Sequence, residues 1–174
     1  DLEYIIGEFD PDSVLRVHEE DDLDHSGVET LKSMAPLRNG RKILMAEDSN
    51  VIRGNLETIL KDMGYTGLEV FIDGEACYRR ILELKQQAEQ AGEPIDKHLQ
   101  MVISDIEMPK MDGLTLCRRL KEELGYKQIP VLLFSSLINP PMEVKCDSVG
   151  ADGYASKPEI AKLIRLMDQF LGIS

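Results

Sequence analysis

The sequence predicts a doubly wound α/β domain built on a five-stranded parallel sheet, and three observations predict it. From Lys42 onward, five short strand-like runs alternate strictly with five segments whose apolar residues recur at helical spacing. The best of these runs are continuously apolar, as strands covered on both faces are. Four of the five run into Glu47-Asp48, Asp105, Ser135-Ser136 and, one residue on, Lys157-Pro158, and parallel strands present such ends along one shared edge.

The first strand is Lys42–Ala46, followed by Glu47 and Asp48. Ser49 or Asp48 can cap the next helix, in which Val51, Ile52, Leu56, Ile59, Leu60 and Met63 keep helical spacing until Gly64 ends it. Leu68–Ile72 is the second strand, and Asp73-Gly74 turns the chain into a helix carrying Ala76, Cys77, Ile81, Leu82 and Leu84. Gly92 and Pro94 place a loop on the long polar exit toward Leu99. Met101–Ser104 delivers Asp105, Pro109 breaks the chain, and a helix from Asp112 carries Leu114, Cys117, Leu120 and Leu124 before Gly125. Val131–Phe134 leads into Ser135-Ser136, a weak helix covers Asn139–Val149, and Gly153–Ala155 precedes Lys157-Pro158. The last helix is Ile160–Leu171. Crossovers between parallel strands are right-handed, which fixes the winding.

Composition narrows the function. A length of 174 residues with 43% apolar residues suits one domain with a segment to spare, and the net charge of -12 argues against a nucleic-acid or anionic-membrane partner. Asp1–Arg41 carries eleven acidic and four basic residues, including the run Glu19–Asp24, so it reads as an acidic linker or the tail of an upstream domain. Residues 42–174 form the domain proper. Cys77, Cys117 and Cys146 lack metal-ligand spacing and read as structural thiols of a reducing compartment. No signal peptide or stretch of eighteen apolar residues occurs, so a cytoplasmic protein with no membrane insertion is expected. The Arg79-Arg80 and Arg118-Arg119 pairs and His98 read as surface residues.

At the strand ends, Glu47, Asp48 and Asp105 repel one another unless a cation intervenes. A few hard oxygen ligands with room for water favour Mg²⁺, while Pro109 and the acidic spacing exclude a calcium loop of the EF-hand kind. Beside Mg²⁺ and Lys157, an ionised Asp105 is placed to attack phosphorus and form an aspartyl phosphate.

The order Glu47-Asp48, Asp105 with MPKMDG, Ser135 and Lys157-Pro158 resembles the receiver domain of two-component response regulators, over about Lys42 to Ser174. That resemblance implies the flavodoxin-like, CheY-like strand order 2-1-3-4-5 with five helices. It implies Asp105 as phosphoacceptor, with Mg²⁺ held by Asp48, Asp105, the Glu107 backbone carbonyl and, through water, Glu47. Ser135 and Lys157 would then hold the phosphoryl oxygens, Tyr154 would be the switching aromatic, and the bond before Pro158 would be cis. Such a protein is no enzyme in the turnover sense, although it would catalyse its own phosphotransfer and slow autodephosphorylation. FSSLI, the loop after the second helix and DIEMPKMDG further resemble the receiver of CheV-type chemotaxis coupling proteins, in which a CheW-like domain precedes it. A CheA-like histidine kinase is then the expected donor, and the fourth helix, fifth strand and fifth helix the expected output face. Two other readings share the residues: a HAD-like aspartyl-phosphate phosphatase, and a receiver-shaped binding scaffold that is never phosphorylated. Glu107, two residues beyond Asp105, departs from the commonest pattern.

Overall fold

Continuous apolar runs become strands wherever helices cover both faces of a sheet, and three of the five runs meet that condition fully. A computed structural model describes residues 25–173 of the protein. Its strands are β1 (Ile43–Ala46), β2 (Leu68–Phe71), β3 (Met101–Ser104), β4 (Val131–Ser135) and β5 (Gly153–Ser156). They form one parallel sheet in the order β2-β1-β3-β4-β5, as expected. Every residue of β1, β3 and β4 is buried, whereas the edge strands β2 and β5 are largely half-buried.

The helices of the described residues are α1 (His25–Ser33), α2 (Ala35–Arg38), α3 (Asn50–Asp62), α4 (Gly74–Ala91), α5 (Gly113–Arg118), α6 (Pro140–Ser148) and α7 (Ile160–Leu171). Side chains alternate across the sheet, so one face gathers Ile43, Met45, Ile103 and Phe134 with α3 and α7, and the other gathers Leu44, Val102 and Leu133 with α4 and α5. Ser49, Asp73, Asp112 and Asn139 cap α3, α4, α5 and α6 by accepting from Ile52, Ala76, Thr115 and Met142 amides at 3.3, 2.8, 2.7 and 2.9 Å. Among the described residues no helix is long and apolar enough to cross a membrane. The three thiols are buried and unpaired, and desolvation pushes Cys117 up to about 12 and Cys146 up to about 11.

Two differences from the sequence reading stand out. Helices α1 and α2 are additional to the five expected, because Val28 and Leu31 join the core beside α3 and α7. Residues 25–41, expected as part of a linker, therefore pack on the domain; Leu2–Phe9 and Glu19–Asp24 lie outside the described residues.

The second difference is in α5, which continues as a π-helical turn over Arg119–Glu123 instead of staying α-helical toward Gly125. The wider turn brings Lys121 inside, only 4% exposed, where its ammonium donates to the carbonyls of Ile129 (2.6 Å) and Lys127 (3.0 Å) and pairs with Asp152 at 2.8 Å. Asp152 in turn accepts from the Val131 amide at 2.8 Å, at the start of β4. Lys121→Met keeps the stem and strips these acceptors of their donor. It is expected to lower stability by about 1–3 kcal/mol in urea unfolding, and an unchanged midpoint would show that water replaces the ammonium at no cost.

Candidate functional site

Register builds the site. Ala46 of β1 pairs with Ser104 of β3 and Phe71 of β2, so Glu47 and Asp105 are the first residues past two aligned strand ends. The Asp105 amide donates to the Ala46 carbonyl at 3.0 Å, and the Glu47 amide to the Phe71 carbonyl at 3.0 Å, which carries the ladder one residue beyond the strands. On the far side, Ser135 pairs with Ser156, and the Lys157 amide donates to the Ser135 carbonyl at 3.0 Å.

The loop after Asp105 folds back against it. The Gly113 amide donates to the Ile106 carbonyl at 2.8 Å, and a Cβ on Gly113 would lie 2.0 Å from the Asp105 carbonyl oxygen. Only glycine permits that approach. Lys110 takes a left-handed φ of 68° in the same loop. The Asp105 carboxylate is thereby held between its neighbour's amide and a lysine: Oδ1 accepts from the Ile106 amide at 2.7 Å, and Oδ2 from the Lys157 ammonium at 3.0 Å.

Lys157 reaches across β4 to do this. The same ammonium pairs with Glu47 Oε1, while Glu47 Oε2 accepts from the Ser49 amide at 3.1 Å. Glu47 and Lys157 are buried, Asp105 is half-buried and Asp48 is exposed. One ligand oxygen from each of Glu47, Asp48 and Asp105 lies within 4.8 Å of the others. Two like charges about 4 Å apart repel by about 4 kcal/mol at an effective dielectric near 20, so one lysine does not neutralise the group. Three hard oxygen donors, one of them facing solvent, fit a hydrated hard cation of the Mg²⁺ kind.

Burial pushes the Glu47 carboxyl above its ordinary range; Lys157 pulls it down and Asp105 pushes it up again. The structure brings Glu47, Asp48, Asp105 and Lys157 into one cluster. Ser135 is buried at the same edge, its hydroxyl accepting from the Leu137 amide at 3.2 Å. Glu107 is exposed on the loop, the Lys157–Pro158 bond is cis, and Tyr154 lies half-buried on β5. Desolvation first, then Asp147 and Glu143 of α6, push the Tyr154 phenol up.

Arg53 is a participant that the sequence reading missed. Its guanidinium donates to the Glu47 carbonyl at 2.9 Å and contacts Asn50, one helical turn earlier, so it braces the acidic loop from α3. A basic residue three positions after the helix-opening Asn50 was the available signal.

The strand order and the carboxylate edge define a class first: a flavodoxin-like α/β domain whose candidate site sits beyond the carboxyl ends of β1, β3 and β5. The family follows from sequence. Residues 43–168 match the response regulator receiver domain, and the chain belongs to that family. Among its relatives, chemotaxis protein CheV3 of Helicobacter pylori is 29% identical over 130 residues, covering 75% of this chain and 40% of that protein. A gliding motility regulatory protein of Myxococcus xanthus is 29% identical over 128 residues, 74% of this chain and 15% of that one. The chain thus spans less than half the length of either. Among solved structures, the receiver domain of the histidine kinase CKI1 from Arabidopsis thaliana, complexed with Mg²⁺ and BeF₃⁻, shares the fold. It has a TM-score of 0.69 and 22% identity, over 82% of this chain and 97% of that one.

The raised Glu47 carboxyl has a measurable consequence. The folded chain keeps this proton to a higher pH than the unfolded chain, so its ionisation costs stability as pH rises from the ordinary 4.5 through the raised folded value. In metal-free buffer, Glu47→Gln is expected to flatten that decline in the urea midpoint. A decline of unchanged slope would exclude Glu47 as its source.

Proposed function

We propose that this receiver is a phosphorylation switch in which Asp105 accepts a phosphoryl group from a histidine kinase. The observation that carries the reading is the Lys157 ammonium held 3.0 Å from Asp105 Oδ2 inside a cluster of three carboxylates. An Asp105 oxygen forms the new O–P bond as the P–N bond of the donor phosphohistidine breaks, and the imidazole leaves with the electron pair.

Glu47, Asp48, Asp105 and the Glu107 carbonyl are the residues that would hold Mg²⁺. Bound there, the metal would neutralise the cluster and supply positive charge for the oxygens being transferred. Lys157, freed from part of its contact with the carboxylates, takes one phosphoryl oxygen. Ser135, whose hydroxyl accepts from the Leu137 amide, donates to another.

The transferred group adds about -1.5 to -2 of charge, which draws Ser135 and Lys157 toward Asp105. Tyr154 then turns inward, and the surface made by α6, β5 and α7, the face we assign to output, changes shape as α6 and β5 shift. A shift from 1:99 to 99:1 needs about 5.5 kcal/mol of preference, much of which two charge-assisted bonds to the phosphoryl can supply. Turnover is not the role of such a site; the chain catalyses its own phosphotransfer and a slow loss of the group.

A cytoplasmic chemotaxis setting with a CheA-like donor and an upstream CheW-like coupling domain is the finer reading. Similarity to a CheV protein supports it. Membership of the receiver family weighs against the phosphatase reading, whose acidic pair comes late in the chain, whereas Glu47-Asp48 comes early.

The test is incubation with Mg²⁺ and a small phosphodonor, followed by intact-mass measurement. Wild type is expected to gain one phosphoryl group and Asp105→Asn none. Multiple-turnover phosphate release would favour the phosphatase, and no adduct from any donor, a phosphohistidine kinase included, would leave only the scaffold reading.

A further inference from the structure

Arg38 precedes the matched family region and takes no part in the strand-end site, yet it has no exposed surface at all. Its guanidinium grips Asp168 of α7 with both oxygens, Nε to Oδ1 at 2.9 Å and a terminal nitrogen to Oδ2 at 2.6 Å. The other terminal nitrogen donates to the carbonyls of Leu31 in α1 (2.7 Å) and Met63 at the end of α3 (2.8 Å). The guanidinium also stands over the Tyr65 ring at 5.3 Å, and the Tyr65 hydroxyl bonds the same Asp168. One side chain therefore joins α1, α2, α3 and α7.

The backbone fits as closely. A Cβ on Gly64 would lie 2.6 Å from Cα and O of Ala35, so α2 rests directly on the exit of α3. Val28 and Leu31 share a core cluster with Leu60, Met63, Leu163 and Met167.

Moving α7 would break a buried bidentate pair, or else drag α1 and α2 with it, and an unpaired buried charge is among the costliest defects a fold can carry. Helix α6 is anchored quite differently. Cys146 alone is buried among its residues, while α7 buries Ile160, Ala161, Leu163, Ile164, Met167 and Asp168. Elements with few buried contacts open first.

We propose that residues 25–41 are a built-in bracket that locks α7 to α3, so that a change at Asp105 is expressed through α6 and β5 without displacement of α7. The second half of this proposal rests on the phosphorylation reading; the lock itself does not.

Amide hydrogen exchange on the whole chain separates the two. Without metal, Arg38→Met is expected to speed exchange in α1, α2 and α7 by about tenfold or more while β1 and β3 keep their protection. With Mg²⁺ and beryllofluoride, wild type is expected to change in α6 and β5 but by less than about twofold in α7, and Arg38→Met to let α7 respond as well. Unaltered α7 exchange in the metal-free variant overturns the lock. A wild-type α7 response as large as that of α6 overturns the confinement. No response anywhere overturns the confinement together with the phosphorylation reading, and the metal-free comparison still decides the lock. If Arg38→Met does not fold, Asp168→Asn is judged by the same outcomes.

Discussion

Crowding of like charge at the carboxyl edge of the sheet is the constraint on which this structure turns. Three carboxylates from two separate strand ends share a space small enough for their oxygens to lie within 4.8 Å of one another, and a single ammonium stands among them. A chain does not arrive at that arrangement by default, since burying Glu47 beside Asp105 raises its carboxyl and disfavours its charge. It persists because β1 and β3 are covered on both faces and locked in register, and because Lys157 crosses β4 to pair with Glu47 and Asp105 together. An added cation would relieve these unfavourable local electrostatics.

Away from that edge, two buried cations hold the helical layers. Arg38 works on the face that carries α3 and α7, and Lys121 on the face that carries α4 and α5, each satisfied by backbone carbonyls and one aspartate. Buried ion pairs add little net stability compared with a well-packed apolar substitute, but they fix geometry, because only one arrangement satisfies every donor. We read them as devices of specificity. They hold the sheet and its neighbours steady while α6, in which Cys146 is buried and Met142 half-buried, remains the loosely held neighbour of Tyr154.

Much of this was legible in the sequence because the relevant physics is local. A strand buried on both faces must be apolar throughout, which exposed Ile43–Ala46, Met101–Ser104 and Val131–Phe134, and parallel packing then made the residues following them neighbours. Asp105, Glu47, Asp48 and Lys157 are accordingly placed at one edge by sequence pattern, and Ser49 or Asp48 at the start of α3. What escaped was non-local. The contact between Glu47 and Lys157 spans 110 residues and leaves no periodic trace. Arg38 reads as an ordinary charge in an acidic segment, and its burial follows only from an Asp168 on the last helix. The π-helical turn that buries Lys121 has the same residue pattern as the α-helix expected there. The helix opening at Asp112 is legible, but the closeness of Gly113 to the Asp105 carbonyl is a matter of tertiary packing.

The carboxylate edge is tested most directly by titrating the metal-free protein with Mg²⁺ and following the thermal unfolding midpoint. A cation that binds only the folded chain stabilises it by about 2.7 kcal/mol at a hundredfold excess over its dissociation constant. The midpoint of the wild type is expected to climb with Mg²⁺, and those of Asp48→Asn and Asp105→Asn to respond weakly or not at all. Equal responses in all three proteins, or none in the wild type, would contradict a cation site at this edge.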